Sequence, residues 1–267
     1  MNIIKYIILA IIQGITEPLP ISSSGHIILF KAIFNTTIFN SLNYEIITNF
    51  GSFVAIFLLF FKDIKQITKE LIMYLLHHKN NKSDSFILCC KIIISILPVG
   101  IIGFVFKDKI ESINNIYYLA LAFLFTSGTL FIVRNINGSK SIQELSWIHS
   151  IIIGLFQAVT IMPGISRSGT VLVACLLCKL KKEDALKYTF LLYLPVSIAA
   201  LILGLKDFIS SPNIDTLYIP YILSFITAFF VTYISYKWMA KLVLKGKLMY
   251  FAIYCLFIAT FIIIYFH

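Results

Sequence analysis

A carboxylate, three consecutive hydroxyls and an imidazole stand within ten residues of one another at Glu17, Ser22, Ser23, Ser24 and His26. A guanidinium at Arg167 lies between two more hydroxyls, Ser166 and Ser168. Residues 13–26 read QGITEPLPISSSGH and residues 157–170 read QAVTIMPGISRSGT; they align without a gap at an offset of 144 residues. Hydroxyls bind phosphate oxygens or attack phosphorus, and an imidazole exchanges protons near neutral pH. A guanidinium offers a planar fork suited to phosphate. Gln13 and Glu17, four apart, share a helix face, and Glu17 is expensive inside apolar sequence without a cation, a metal or Arg167 beside it. Gly25, Gly164 and Gly169 allow tight turns that expose N–H groups at helix starts, where anions bind. Ser22, Ser24, Gly25, Ser166, Ser168 and Gly169 are therefore expected to hold phosphate, with Glu17, Ser23, His26 and Arg167 as the catalytic set. Such a set suits cleavage of a phosphoester or diphosphate, with Ser23, His26 or an activated water as nucleophile.

The elements that carry these residues are membrane helices. The chain has 267 residues, 59% of them hydrophobic, and a mean hydropathy of +0.93, too much apolar surface for one soluble core. Spans are expected at 44–61, 86–106, 116–133, 185–205, 218–236 and 248–266. Proline and serine cut the two motif-bearing runs into arms at 3–17 with 21–34 and 147–161 with 165–178, each too short to cross. The expected fold is an all-α integral membrane protein, a single domain over 1–267. It has six transmembrane helices and two re-entrant helix hairpins in an inverted-topology repeat, with halves at about 1–134 and 145–267.

Charge placement gives the expected topology. With the hairpins not crossing, sixteen of the lysines and arginines fall on one side and five on the other, Arg167 being left at a hairpin tip. The rich side is expected to be cytoplasmic and both termini outside. The net charge of +10 is then a topology signal and a contact with anionic membrane lipids, with no nucleic-acid partner implied. Residues 62–85, with His77 and His78, read as a polar cytoplasmic loop, and His149 as a boundary residue without partners. Glu17 and two prolines stand where a signal-peptide cleavage site would be expected. The CxxC pair Cys175 and Cys178 reads as buried, inert thiols.

At these motifs the chain resembles the undecaprenyl-diphosphate phosphatase family, the bacitracin-resistance proteins of bacterial inner membranes. The resemblance rests on Gln13 to His26, which matches (E/Q)xxxE running into PxSSxGH, and on PGxSRSG at Pro163 to Gly169. NYEIITNFGSFVAIF at 43–57, with Glu45 and Gly51, is a weaker third similarity. It implies hydrolysis of undecaprenyl diphosphate to undecaprenyl phosphate and inorganic phosphate, recycling the lipid carrier of cell-wall synthesis. It also implies a divalent cation, Mg²⁺ or Ca²⁺, essential roles at Glu17, Ser23, His26, Ser166 and Arg167, and a site opening to the extracytoplasmic side of the inner membrane. Glu17 is the implied metal ligand; Gln13 stands where many members carry a second carboxylate. A homodimer is a compatible assembly. A secondary transporter or flippase for a phosphorylated lipid or solute is the rival reading, since broken helices in inverted repeats are also its signature.

Overall fold

The computed structural model describes residues 3–34, 42–77, 84–111, 115–209 and 214–267. His78, Lys79, Lys82 and the loop tips at 112–114 and 210–213 lie outside the described residues. The described residues form eleven helices: α1 (Ile3–Thr16), α2 (Ser23–Phe34), α3 (Leu42–Leu59), α4 (Phe61–His77), α5 (Asp84–Glu111) and α6 (Ile116–Val133). They continue with α7 (Trp147–Val159), α8 (Arg167–Leu177), α9 (Lys182–Ile209), α10 (Ile214–Leu244) and α11 (Leu248–Tyr265). Among the described residues, five helices, α5, α6, α9, α10 and α11, are long and apolar enough to cross a bilayer, or six spans if α3 and α4 count as one bent span.

The short arms fall where proline and serine cut the apolar runs, giving α1, α2, α7 and α8 lengths of 11 to 14 residues. Pro98, Pro195 and Pro220 instead sit inside the long helices α5, α9 and α10, as membrane helices tolerate. The expected polar loop after residue 61 is in its first part a helix, α4, bent 69° from α3. Its apolar residues recur at helical spacing, with lysines between them, so it folds as an amphipathic helix. His149, expected to be without partners, closes a capping box at the start of α7. Its N–H donates to Ser146 Oγ (3.2 Å), and its Nδ1 accepts from the Ser146 N–H (3.3 Å). The pattern is that of a capping box with histidine in the usual glutamate position.

Close packing is set by small residues. α1 and α3 both pack on α10, α7 packs on α5, and α6 on α11. A methyl group at Gly51 of α3 would stand 2.5 Å from the Phe225 carbonyl oxygen of α10, and one at Gly14 of α1 would stand 2.8 Å from Val231 Cβ. Because Gly51 faces backbone, Gly51→Ala must separate two helices. We expect a loss of about 1–3 kcal/mol, read as a lower thermal midpoint in detergent; an unchanged midpoint would show that α10 yields freely.

Two buried tyrosines tie the helices in matching ways. Tyr44 of α3 donates to the Tyr6 carbonyl of α1 (2.6 Å), to which Ser224 of α10 also donates (3.5 Å). Tyr188 of α9 meets Ser95 of α5 (2.8 Å), which donates to the Ser150 carbonyl of α7 (2.8 Å). Tyr6 and Ser150, like Tyr44 and Tyr188, are separated by the same 144 residues as the motifs.

Candidate active site

Both sequence breaks are tight turns, and they meet. After α1, Pro18 and Pro20 prevent helix continuation, and Ser22 adopts the left-handed region at φ 70° before α2 begins at Ser23. After α7, Pro163 and Gly164 (φ 89°) make the turn, and Ser166 caps α8 through its hydroxyl and the Gly169 N–H (3.1 Å). Ser168 Oγ donates to the Leu19 carbonyl (3.0 Å), and the Gly164 N–H donates to Ser24 Oγ (3.4 Å). A methyl at Gly169 would stand 3.1 Å from Pro20 Cβ, so glycine there permits the close approach.

Between the breaks lies a cavity of about 100 Å³. Gln13, Glu17, Ser22, Ser23, Ser24, Ser166, Arg167 and Ser168 line it, joined by Glu45, Asn49, Thr160 and Tyr193. Ser23 Oγ donates to Glu17 Oε2 at 2.5 Å. The same carboxylate oxygen accepts from Gln13 Nε2 (2.8 Å), which also donates to Asn49 Oδ1 (2.5 Å). Glu17 is therefore oriented from behind by an amide and faces a hydroxyl in front. The Arg167 guanidinium stands 5.5 Å from the Tyr193 ring centroid, with Nη1 3.4 Å from Ser197 Oγ. It borders the same cavity without an ion pair to Glu17 among the described residues.

Of the expected site residues, Glu17, Ser22, Ser23, Ser24, Ser166, Arg167 and Ser168 come together. Gly25 and Gly169 do not line the cavity; their N–H groups donate to the capping hydroxyls of Ser22 and Ser166 (3.1 Å each). Their contribution here is a closed cap and close packing, since a methyl at Gly25 would stand 2.8 Å from the Phe123 ring. His26 also stands outside the cavity lining. Its Nδ1 donates to the Ser22 carbonyl (2.6 Å), and its Nε2 meets the Tyr254 hydroxyl (2.8 Å).

The donors also fit a divalent cation. The Glu17 and Glu45 carboxylates, the Asn49 amide oxygen and the Ser23 hydroxyl line the cavity and would give an all-oxygen set of the kind hard cations take. Glu45 is held by Lys31 (2.6 Å). Among the described residues no three His, Cys, Asp or Glu side chains gather as ligands, so amide, hydroxyl, water and phosphate oxygens must complete the shell, as is usual for Mg²⁺. Asn49, which lies in the 43–57 stretch without being singled out there, and Tyr193, which lies outside the motifs, are separated by the motif offset of 144 residues. Extending the alignment from the breaks into α3 and α9 finds them.

The sequence profile of the family described as "Bacitracin resistance protein BacA" matches residues 6–261. Relatives include "Undecaprenyl-diphosphatase 2" of Bacillus thuringiensis, 39% identical over 264 residues, covering 98% of this chain and 97% of the relative. "Undecaprenyl-diphosphatase" of Oceanobacillus iheyensis is 36% identical over 267 residues, covering 99% and 97%. "Undecaprenyl-diphosphatase 1" of Halalkalibacterium halodurans is 33% identical over 254 residues, covering 95% and 92%. With a match spanning both breaks and every long helix, the chain belongs to the bacitracin resistance protein BacA family.

Proposed function

We propose that the protein hydrolyses undecaprenyl diphosphate to undecaprenyl phosphate and inorganic phosphate in a bacterial membrane, an activity that accounts for bacitracin resistance. One observation carries the chemistry: the Ser23 hydroxyl on the Glu17 carboxylate, in a cavity that also holds Arg167. Glu17 takes the Ser23 proton as Oγ attacks the terminal phosphorus. The new Oγ–P bond forms as the P–O bond to the bridging oxygen breaks, and undecaprenyl phosphate leaves with the proton that Glu17 took, so that the carboxylate is free again. Water then attacks the phosphoserine, passes its proton to Glu17, and inorganic phosphate departs as Ser23 recovers its hydrogen. Arg167 and the Ser22, Ser24 and Ser166 hydroxyls hold the equatorial oxygens, Ser168 ties the two breaks through the Leu19 carbonyl, and Tyr193 and Ser197 hold Arg167. The work is mainly positioning and charge stabilisation. A divalent cation held by Glu17, Glu45 and Asn49 would neutralise diphosphate charge.

The transporter reading is not favoured, because carrying a phosphorylated solute needs Arg167 and serines but no hydroxyl poised on a carboxylate. Phosphate release from undecaprenyl diphosphate in detergent, where no gradient exists, separates the two. Release that requires Ser23 supports hydrolysis; binding without release supports transport.

The repeated ties at Tyr44 and Tyr188, the two facing breaks and the lysine distribution support an inverted-topology repeat within one domain. In it, α1–α2 and α7–α8 are re-entrant hairpins from opposite sides, and the cavity opens to the extracytoplasmic face of the inner membrane. Cysteine labelling at Ser83 and Ser210, both outside the described residues, tests this in a chain without native thiols. Outside reagent should label Ser210→Cys and spare Ser83→Cys; the reverse would overturn the topology.

A further inference from the structure

The two motifs serve as each other's control, and they differ at one turn. Ser22 and Ser166 occupy the same motif position, and each caps the following helix by accepting from a glycine N–H at 3.1 Å. Ser166 does so with an ordinary extended backbone, φ −71° and ψ 116°. Ser22 does so at φ 70°, in the left-handed region that a side chain makes costly. Four residues on, the first motif has His26 and the second has Thr170. His26 returns to the strained residue: its Nδ1 donates to the Ser22 carbonyl at 2.6 Å. Thr170 makes no equivalent return, its buried hydroxyl having no hydrogen-bond partner among the described residues.

The histidine is itself held from the far end of the chain. A carbonyl can only accept, so Nδ1 carries the proton; in the neutral ring Nε2 then accepts from the Tyr254 hydroxyl of α11 at 2.8 Å. The Tyr254 ring stacks on the imidazole, with centroids 5.6 Å apart and planes 9° apart, while Phe123 of α6 meets its edge at 5.3 Å. Both ring nitrogens are thus engaged and the ring is packed from two sides.

We propose that His26 and Tyr254 are positioning residues that clamp Ser22 in its left-handed conformation, so that the next residue, Ser23, meets Glu17. Strain in a turn persists where surrounding contacts over-determine it, and it is common where a reactive group must be aimed. The clamp crosses from α2 to α11, coupling the aim of Ser23 to the packing of the last helix. This inference rests on the reading of Ser23 as nucleophile, but its tests are separate.

Asparagine decides between a clamp and a proton-transfer group. Its side-chain N–H lies where Nδ1 does, one bond beyond Cγ, and it does not titrate. His26→Ala should lower turnover at least about 100-fold, whereas His26→Asn should keep about a tenth or more of wild-type turnover. Equal losses in the two would overturn the clamp and return His26 to proton transfer. Glycine adopts positive φ without strain, so His26→Ala should cost at least about fivefold less in a Ser22→Gly background than in the wild type; an equal cost in both would overturn the clamp. Tyr254→Phe keeps the stacking and removes one hydrogen bond. It should lower kcat about 3- to 10-fold with KM unchanged, and an unchanged kcat would remove Tyr254 from the clamp. An active Ser23→Ala variant would overturn the nucleophile alone, while a failed asparagine rescue beside an inactive Ser23→Ala would overturn the clamp alone.

Discussion

Ser23→Ala should abolish turnover, by about a thousandfold or more, equivalent to a barrier increase of about 4 kcal/mol. The hydroxyl removed is the one that donates to Glu17 at 2.5 Å, within the cavity that Arg167 borders. Its neighbours are placed differently. Ser22 Oγ caps α2 through the Gly25 N–H, and Ser24 Oγ lies 3.4 Å from the Gly164 nitrogen. Their alanine variants should each cost about 1–3 kcal/mol, the range of one lost hydrogen bond in a buried site. His26→Ala should lower turnover at least about 100-fold, and Ser23→Ala/His26→Ala should be hardly worse than Ser23→Ala, because both act on one attacking oxygen. The measurement is phosphate release by folded protein in detergent. Retention of more than about a tenth of wild-type turnover, a barrier increase under about 1.4 kcal/mol, would reduce Ser23 to a phosphate-binding hydroxyl.

Arg167→Lys should lose about 30- to 1,000-fold in turnover although the charge is kept, a cost of about 2–4 kcal/mol. The guanidinium is a flat group beside the Tyr193 ring, with one nitrogen near Ser197, and its remaining donors can take two phosphate oxygens at once. An ammonium on a flexible stem reproduces neither the planar contact nor the fork. Comparing Arg167→Lys with Arg167→Ala separates geometry from charge: similar losses point to the fork. Near-normal turnover in the lysine variant would make Arg167 a distant counter-charge.

The sequence by itself determined most of the helix plan. Proline and serine in an apolar run leave arms too short to cross, so the expected arms at 3–17, 21–34, 147–161 and 165–178 match α1, α2, α7 and α8 to within about two residues. It also marked the breaks as the candidate site, because Glu17, Arg167 and five serines gather there within otherwise apolar sequence. What the breaks do to one another was a tertiary matter. A one-dimensional pattern shows that Ser24 and Ser168 stand at helix starts, but only packing brings Gly164 to Ser24 and Ser168 to the Leu19 carbonyl. Residues after 61 read as a loop because lysine and glutamate dilute the apolar signal, whereas an amphipathic helix needs only one apolar face. Asn49 and Tyr193 were missed because they sit in unbroken helices, where a polar side chain declares a role only through the neighbour it reaches. His26 shows the limit most sharply. Three residues from Ser23, it reads as a proton-transfer partner; in the fold it is not among the residues lining the cavity, and its ring nitrogens meet the Ser22 carbonyl and the Tyr254 hydroxyl, the latter 228 residues away in sequence. Residue type and spacing say which groups are available for chemistry; the direction each one faces depends on backbone dihedrals and distant contacts that no local pattern encodes.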